Sequence, residues 1–346
     1  MSALPAKHVV VYAEPGRFGG WPANNGLWQR GNEILVGFSR GYFLAQTDKH
    51  SIDRDRPNGP VHARSLDGGE TWALEETAPP KDPDTPPTPA PGSVDFTGPG
   101  FACLCHDAHF WLSADRGRQW QGPYALPEVG ERLTSRTDVV VLGPRSLLLG
   151  LSAKAPGVHA KLKDRAFFAR TDDGGQTFQV LGWMTGEPLD TRSVMPATVR
   201  TGSGRLVSAL RRRRDESLEV GARQDNFIDV HESADEGRTW QFLSRVADTA
   251  DGVHNGNPPA LARLPDGQLC VAYGCRAEPY GIRARLSADD GRTWGTEIIL
   301  RDDARTWDIG YPRMAVRPDG KLLTIYYYTT AQRPEQHIAA TIWEPG

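Results

Sequence analysis

Ser287-Ala-Asp-Asp-Gly-Arg-Thr-Trp294 is the stretch from which the rest of the chain can be read. Near-copies begin at Ser65, Ser113, Thr171 and Ser233 and close on Trp72, Trp120, Phe178 and Trp240. Each has Ser or Thr first, Asp third, Gly fifth and an aromatic eighth. The copies start roughly 50–60 residues apart, a period that marks a propeller or a solenoid. The chemistry of the octet accounts for its recurrence. An Asp two residues before a Gly makes a tight hairpin turn, with the carboxylate accepting backbone N–H groups and the Gly free to take positive φ. The closing aromatic supplies a large apolar body to pack between neighbouring sheets.

The strand pattern fits one all-β ring. Residues 26–29, 33–42 and 61–65 precede the first octet, and 101–105 and 109–113 precede the second. Later repeats are clearer, with inner turns Gly143-Pro-Arg-Ser146, Thr201-Gly-Ser-Gly204, Pro265-Asp-Gly267 and Pro318-Asp-Gly320. The last repeat stops after 337–343 with no octet and no fourth strand. The isolated β-branched run 8–12 can fill that place. The expectation is a single six-bladed β-propeller over 1–346, with five octets, closed by an N-terminal strand. The Pro-rich run 79–92 reads as a solvated connection between blades.

Composition narrows the function. Forty Lys and Arg stand against 43 Asp and Glu, a net charge of −3, so no nucleic-acid footprint is present. The four cysteines, Cys103, Cys105, Cys270 and Cys275, show no metal spacing and read as buried thiols. No metal or cofactor is expected. Met1-Ser-Ala-Leu-Pro-Ala-Lys7 has no apolar leader segment, and no long apolar run follows. No membrane partner is expected. A cytoplasmic chain is expected, or a secreted or periplasmic one whose signal has been removed.

In such a ring the octets and the inner turns share one face, and the long irregular connections share the other. Chemistry lives on the irregular face. Segments leading into the innermost strand and out of the next one supply Trp21, Asn24, Asn25 and Arg40, then Asp95, then Arg136, Asp138 and Lys154. Arg192 and Arg211 follow, then His254, Asn255, Asn257 and Arg276, and finally Asp308, Tyr311 and Arg313. This set suits a hydroxylated or carboxylated ligand, since a guanidinium fork holds a carboxylate by two parallel hydrogen bonds.

The octet is that of the Asp-box, and the chain resembles the sialidase-like propeller superfamily (the BNR repeat proteins). The resemblance implies a carbohydrate partner and a glycan-active enzyme, an exo-acting glycoside hydrolase on an acidic or terminal sugar. Sialidases bind a carboxylate with three arginines and use a Tyr nucleophile assisted by a Glu, with an Asp as acid/base. Tyr311, in Gly310-Tyr-Pro312, matches the nucleophile, and Arg211 and Arg276 match two of the arginines. The place of the first arginine reads Gly20-Trp21-Pro22, and that of the Glu reads Ser193-Val-Met-Pro196. The acid/base falls in 40–55, where Asp48, Asp53 or Asp55 could serve, and Asp138 is a further candidate. Arg136, Arg40, Arg192, Asn25, His254, Asn257 and Arg313 are the remaining expected ligand contacts. Two alternatives stay open: a lyase or rhamnosidase-type enzyme using a His or Tyr acid/base, and a glycan-binding propeller without catalysis.

Overall fold

Six sheets stand in a ring in the computed structural model, which describes residues 5–81, 84–130, 132–154, 164–186, 191–217 and 223–345. The third, fourth and fifth blades are plain antiparallel meanders. The third runs Val139–Gly143, Ser146–Lys154, Asp164–Thr171 and Gln179–Trp183. The fourth runs Thr191–Arg200, Leu206–Asp215, Gln224–Ser233 and Gln241–Asp248, and the fifth Ala260–Arg263, Leu269–Cys275, Gly281–Ser287 and Ile298–Arg301. The sixth has Gly310–Val316, Leu322–Tyr328 and His337–Trp343. Its outer edge is taken by Ala6–Tyr12, paired antiparallel from Ala6 opposite Trp343 to Tyr12 opposite Ile338.

Each octet builds its turn from its own atoms. In the last, Ser287 Oγ donates to Asp289 Oδ1 at 2.8 Å and accepts from the N–H of Gly291, also at 2.8 Å. Asp289 in turn accepts from Thr293 N at 2.9 Å and Thr293 Oγ1 at 2.6 Å. Gly291 sits at φ +88, which a side chain would strain. The closing aromatic then packs on the preceding blade. Trp120 meets Trp28 with ring centres 5.1 Å apart, Phe178 meets Phe110 at 5.5 Å and Trp240 meets Phe168 at 4.7 Å. Turn chemistry and inter-sheet packing are thus carried by one motif. Inner turns and octets do share a face: Gly68 N donates to Asn32 O, and Gly174 N to Arg145 O.

The first two blades depart from the simple meander. In the first, Leu27–Arg30, Glu33–Phe43, Gly59–Ser65 and Ala73–Glu75 are joined by Arg17–Gly20 and Ile52–Asp53, both paired to the far half of Glu33–Phe43. In the second, Ala102–Asp107, His109–Ser113 and Gln121–Ala125 form three strands. The inner position is held only by Ser135–Arg136, arriving from downstream. Residues 94–100, Val-Asp-Phe-Thr-Gly-Pro-Gly, form turns because Gly and Pro there break any strand. Arg136 is thereby delivered to the mouth of the ring.

The Pro-rich run is not wholly solvated. Pro79 and Ala90 are buried, and Lys81 turns inward, while residues 82–83 lie outside the described set. Cys103, Cys105, Cys270 and Cys275 are free thiols, the first three buried.

Candidate functional site

Three residues within or ahead of innermost strands share an unusual backbone. Trp21, Met195 and Tyr311 have φ of 57, 54 and 48, and each precedes a proline. Proline disfavours the right-handed helical region for the residue before it. A left-handed residue costs on the order of 1–3 kcal/mol and persists only where its surroundings hold it. At Tyr311 the holder is Asn257. Its Oδ1 accepts from Tyr311 N at 2.6 Å and its Nδ2 donates to Ile309 O at 3.3 Å. A Cβ on Gly310 would lie 2.1 Å from that Oδ1, so only glycine fits there. Asn257, fully buried, therefore positions Tyr311.

The phenol of Tyr311 lies in a cationic field. Arg211 Nη1 donates to Tyr311 Oη at 2.9 Å. The guanidinium carbons of Arg211 and Arg276 stand 5.6 and 5.5 Å from the ring centre. Burial pushes the phenol pKa up, but Arg211, Arg276 and Arg192 outweigh it and hold it below the usual tyrosine value. Burial draws Arg211 down to about 10, partly offset by Tyr311, and among the described residues its Nε has no hydrogen-bond partner. Arg192 holds Asp164 through Nε at 2.6 Å, keeping the fork oriented beside Arg211.

Arg276 is the next guanidinium of this field. It is fully buried and donates to Ile309 O, Asn255 O and Tyr327 Oη. It shapes the field around Tyr311. Tyr327 Oη passes the network on to Asp308 Oδ1 at 2.6 Å. Asp308 also receives His50 Nδ1 at 2.5 Å and Ser51 N at 2.9 Å. Burial raises its pKa, but the contacts with His50, Arg276 and Tyr327 prevail and lower it. His254 stacks on Trp307 with ring centres 4.2 Å apart and meets Asp251 at 3.2 Å.

A second cluster faces the same mouth. Arg136 binds Asp107 Oδ1 at 2.7 Å and Asn24 Oδ1 at 3.3 Å. Lys81 Nζ reaches Asn25 Oδ1 at 2.6 Å and Asn24 O at 3.1 Å. Burial first, then the charge of Arg136, holds that amine well below the usual lysine value. Arg313 crosses the ring, donating to Ala23 O at 2.7 Å and Thr137 O at 2.8 Å.

Asp138 belongs to the channel behind this cluster. Its carboxylate accepts from Thr198 N at 3.0 Å and Thr198 Oγ1 at 2.6 Å. It lines a cavity of about 290 Å³ with Arg313, Trp28, Leu261 and Met314. Burial raises its pKa to about 6, against the pull of Thr198 and Arg313. Arg40 pairs with the exposed Glu76 at 2.6 Å, and Asp95 caps its own turn through Thr97. Asp48 is exposed on the loop that carries His50. Among the described residues, no three His, Cys, Asp or Glu side chains gather as a metal site.

Sequence reasoning passed over His50, Trp307, Tyr327, Asp107 and Lys81. His50 stands inside 40–55, where the resemblance implies a carboxylate as acid/base. Three aromatic or apolar residues before proline marked the inner-strand approaches and could have been read as a set. Lys81 gave no signal within a run read as solvated.

A family model described as a BNR repeat-like domain matches residues 100–324, more than half of the chain, and the chain belongs to that family. No curated protein matches it. Among solved structures, a protein of unknown function from Dyadobacter fermentans is similar at 21% identity and a TM-score of 0.72, covering 99% of each chain. The α-L-arabinanase of Penicillium chrysogenum, complexed with arabinobiose, is similar at 14% identity and a TM-score of 0.60, over 97% of each. The Trypanosoma rangeli sialidase, in complex with 2,3-difluorosialic acid, gives 13% and 0.61 over 99% of this chain and 59% of its own. At these identities the likeness is one of fold. Among the described residues no helix is long and apolar enough to cross a membrane.

Proposed function

We propose that this member of the BNR repeat-like domain family is a glycan-active enzyme, an exo-acting glycoside hydrolase that takes an acidic sugar and uses Tyr311 as its nucleophile. The hydrogen bond from Arg211 Nη1 to Tyr311 Oη at 2.9 Å carries this reading. A phenol is a weak nucleophile until its proton is lost, and guanidinium charge beside it favours the phenolate. Arg192 is already paired with Asp164, whereas Arg211 has no carboxylate partner among the described residues and meets only the Tyr311 phenol, which is the reason to expect a carboxylate on the sugar. Structural neighbours described as a sialidase and an arabinanase support a glycan as the partner.

A uronate lyase is the second reading. A phenolate flanked by arginines can also remove the proton next to a carboxylate, and among the described residues no carboxylate hydrogen-bonds to Tyr311 to assist a displacement. Incubation with sialylated, rhamnosylated and uronate-containing oligosaccharides tests both. Released monosaccharide means hydrolase, ultraviolet absorbance of an unsaturated uronate means lyase, and binding without turnover refutes both. Tyr311→Phe is expected to abolish turnover and retain binding. Normal turnover by that variant would reduce Tyr311 to a plug in the channel.

A further inference from the structure

Tyr311 needs a partner that moves a proton; Asp48 is exposed on its loop, and Asp138 is turned to the channel with its carboxylate bound by Thr198. One histidine has the features of such a partner. His50 Nδ1 is tied to Asp308 Oδ1 at 2.5 Å. An ionised carboxylate only accepts, so the neutral ring carries its hydrogen on Nδ1 and leaves Nε2 bare. Among the described residues, Nε2 has no hydrogen-bond partner, and the side chain is 28% exposed. A histidine used only for packing is ordinarily enclosed with its polar atoms paired.

The ring is also held in place. Trp21 meets it edge-on with centres 5.2 Å apart and an interplanar angle of 83°, and Trp307 lies 5.5 Å away. Trp307 is itself pinned by Nε1 donating to Thr47 O at 2.7 Å. Asp308 is almost wholly buried, and a buried carboxylate is costly unless it is paired and bonded. Three donors, His50 Nδ1, Ser51 N and Tyr327 Oη, satisfy it. The same scaffold holds Tyr311. Asp308 is three residues before it in the chain, and Tyr327 Oη also accepts from Arg276, whose guanidinium stands over the Tyr311 ring. An oriented base backed by a third group, beside an activated nucleophile, is the general arrangement for covalent catalysis.

We propose that His50 is the proton donor and acceptor of the reaction at Tyr311, with Asp308 as the positioning residue behind it. This rests on the reading of Tyr311 as nucleophile. As the phenolate oxygen of Tyr311 bonds to the anomeric carbon, the glycosidic C–O bond breaks and its electron pair goes to the departing oxygen. The imidazolium of His50 gives that oxygen its Nε2 proton. In the second half, neutral His50 takes a proton from water, the water oxygen bonds to the anomeric carbon, and the phenolate of Tyr311 leaves. Protons and bonds balance over the cycle without a cofactor.

The test uses methylumbelliferyl glycosides of N-acetylneuraminic, glucuronic and galacturonic acid, each beside its methyl glycoside. His50→Asn keeps a donor near the position of Nδ1 for Asp308 but removes Nε2. Loss of an acid costs typically 10²–10⁴-fold where the leaving oxygen must be protonated. The variant is expected to lose about that much on the methyl glycoside and far less on the methylumbelliferyl one, whose phenol leaves as an anion. Equal losses on both, or none, would overturn the role of His50 and leave Tyr311 standing. If the native protein turns over neither glycoside, the Tyr311 reading falls and this one with it. Should His50→Asn fail to fold, nitrogen NMR of the native protein decides. A neutral ring protonated at Nδ1 supports the assignment, and one protonated at Nε2 overturns it.

Discussion

Arg211 Nη1 reaches Tyr311 Oη over 2.9 Å from the fourth blade to the sixth, skipping the fifth. The contact spans the mouth of the ring, so it reports on both the architecture and the chemistry. Because Arg211 is one of three guanidinium groups holding the phenol below its usual pKa, its removal has a definite sign. In Arg211→Gln the Tyr311 phenol titrates at higher pH than in the native protein. The phenolate band in the ultraviolet measures this, with Tyr311→Phe identifying the signal. An unmoved titration would mean that Arg211 does not polarise Tyr311.

Asp138 makes the opposite kind of prediction. Its folded pKa of about 6 lies above the ordinary value of 3.8, so the folded state binds the proton more tightly than the unfolded one. The stability it contributes is full below the ordinary value and is lost as pH rises through about 6. Asp138→Asn, which stays neutral, should gain on the native protein by up to roughly 3 kcal/mol between acid and neutral pH. Urea unfolding at both pH values checks this, and turnover should survive, since Asp138 faces the channel. A variant that loses turnover at unchanged stability would return Asp138 to the catalytic set.

On the opposite face, Asp289→Ala removes the acceptor for Ser287 Oγ, Thr293 N and Thr293 Oγ1. The expected cost is about 1–3 kcal/mol, with glycan affinity nearly unchanged. Asp289 is held at about 2 in the native turn, chiefly by Thr293. Its contribution is therefore present above the ordinary carboxylate range and fades as pH falls toward 2. Calorimetry with a binding titration separates the two effects, and lost binding at full stability would mean the faces are reversed.

Removal of residues 1–12 strips the outer strand from His337–Trp343. Val11, buried in the core cluster, alone accounts for about 1.5–3 kcal/mol, and an unpaired edge remains. The truncated chain should melt well below the native one. Equal melting temperatures would show that Ala6–Tyr12 adds nothing to the ring.

The octets were legible because their bonds are local. Ser287, Asp289, Gly291 and Thr293 satisfy one another within a few residues, so residue type and spacing suffice to specify the turn. Ring architecture follows from its repetition, since each closing aromatic has only the preceding blade to pack against. The second blade was less legible, because its inner position is filled by Ser135–Arg136 from a later part of the chain.

At the mouth of the ring, residue types were readable but their directions were not. Arg211 stands midway along Leu206–Asp215 and Arg276 just past the end of Leu269–Cys275, yet one meets the phenol and the other is closed in by Ile309, Asn255 and Tyr327. A strand side chain points one way or the other by a single residue of register, and no composition rule records which neighbours wait there. His50 and Asp308 stand 258 positions apart and Arg211 and Tyr311 100. Short-range physics wrote the repeats into the chain and with them the ring. The pairing of proton carrier, nucleophile and cations arises when closure brings distant loops to one axis, and burial there fixes which charges must satisfy each other.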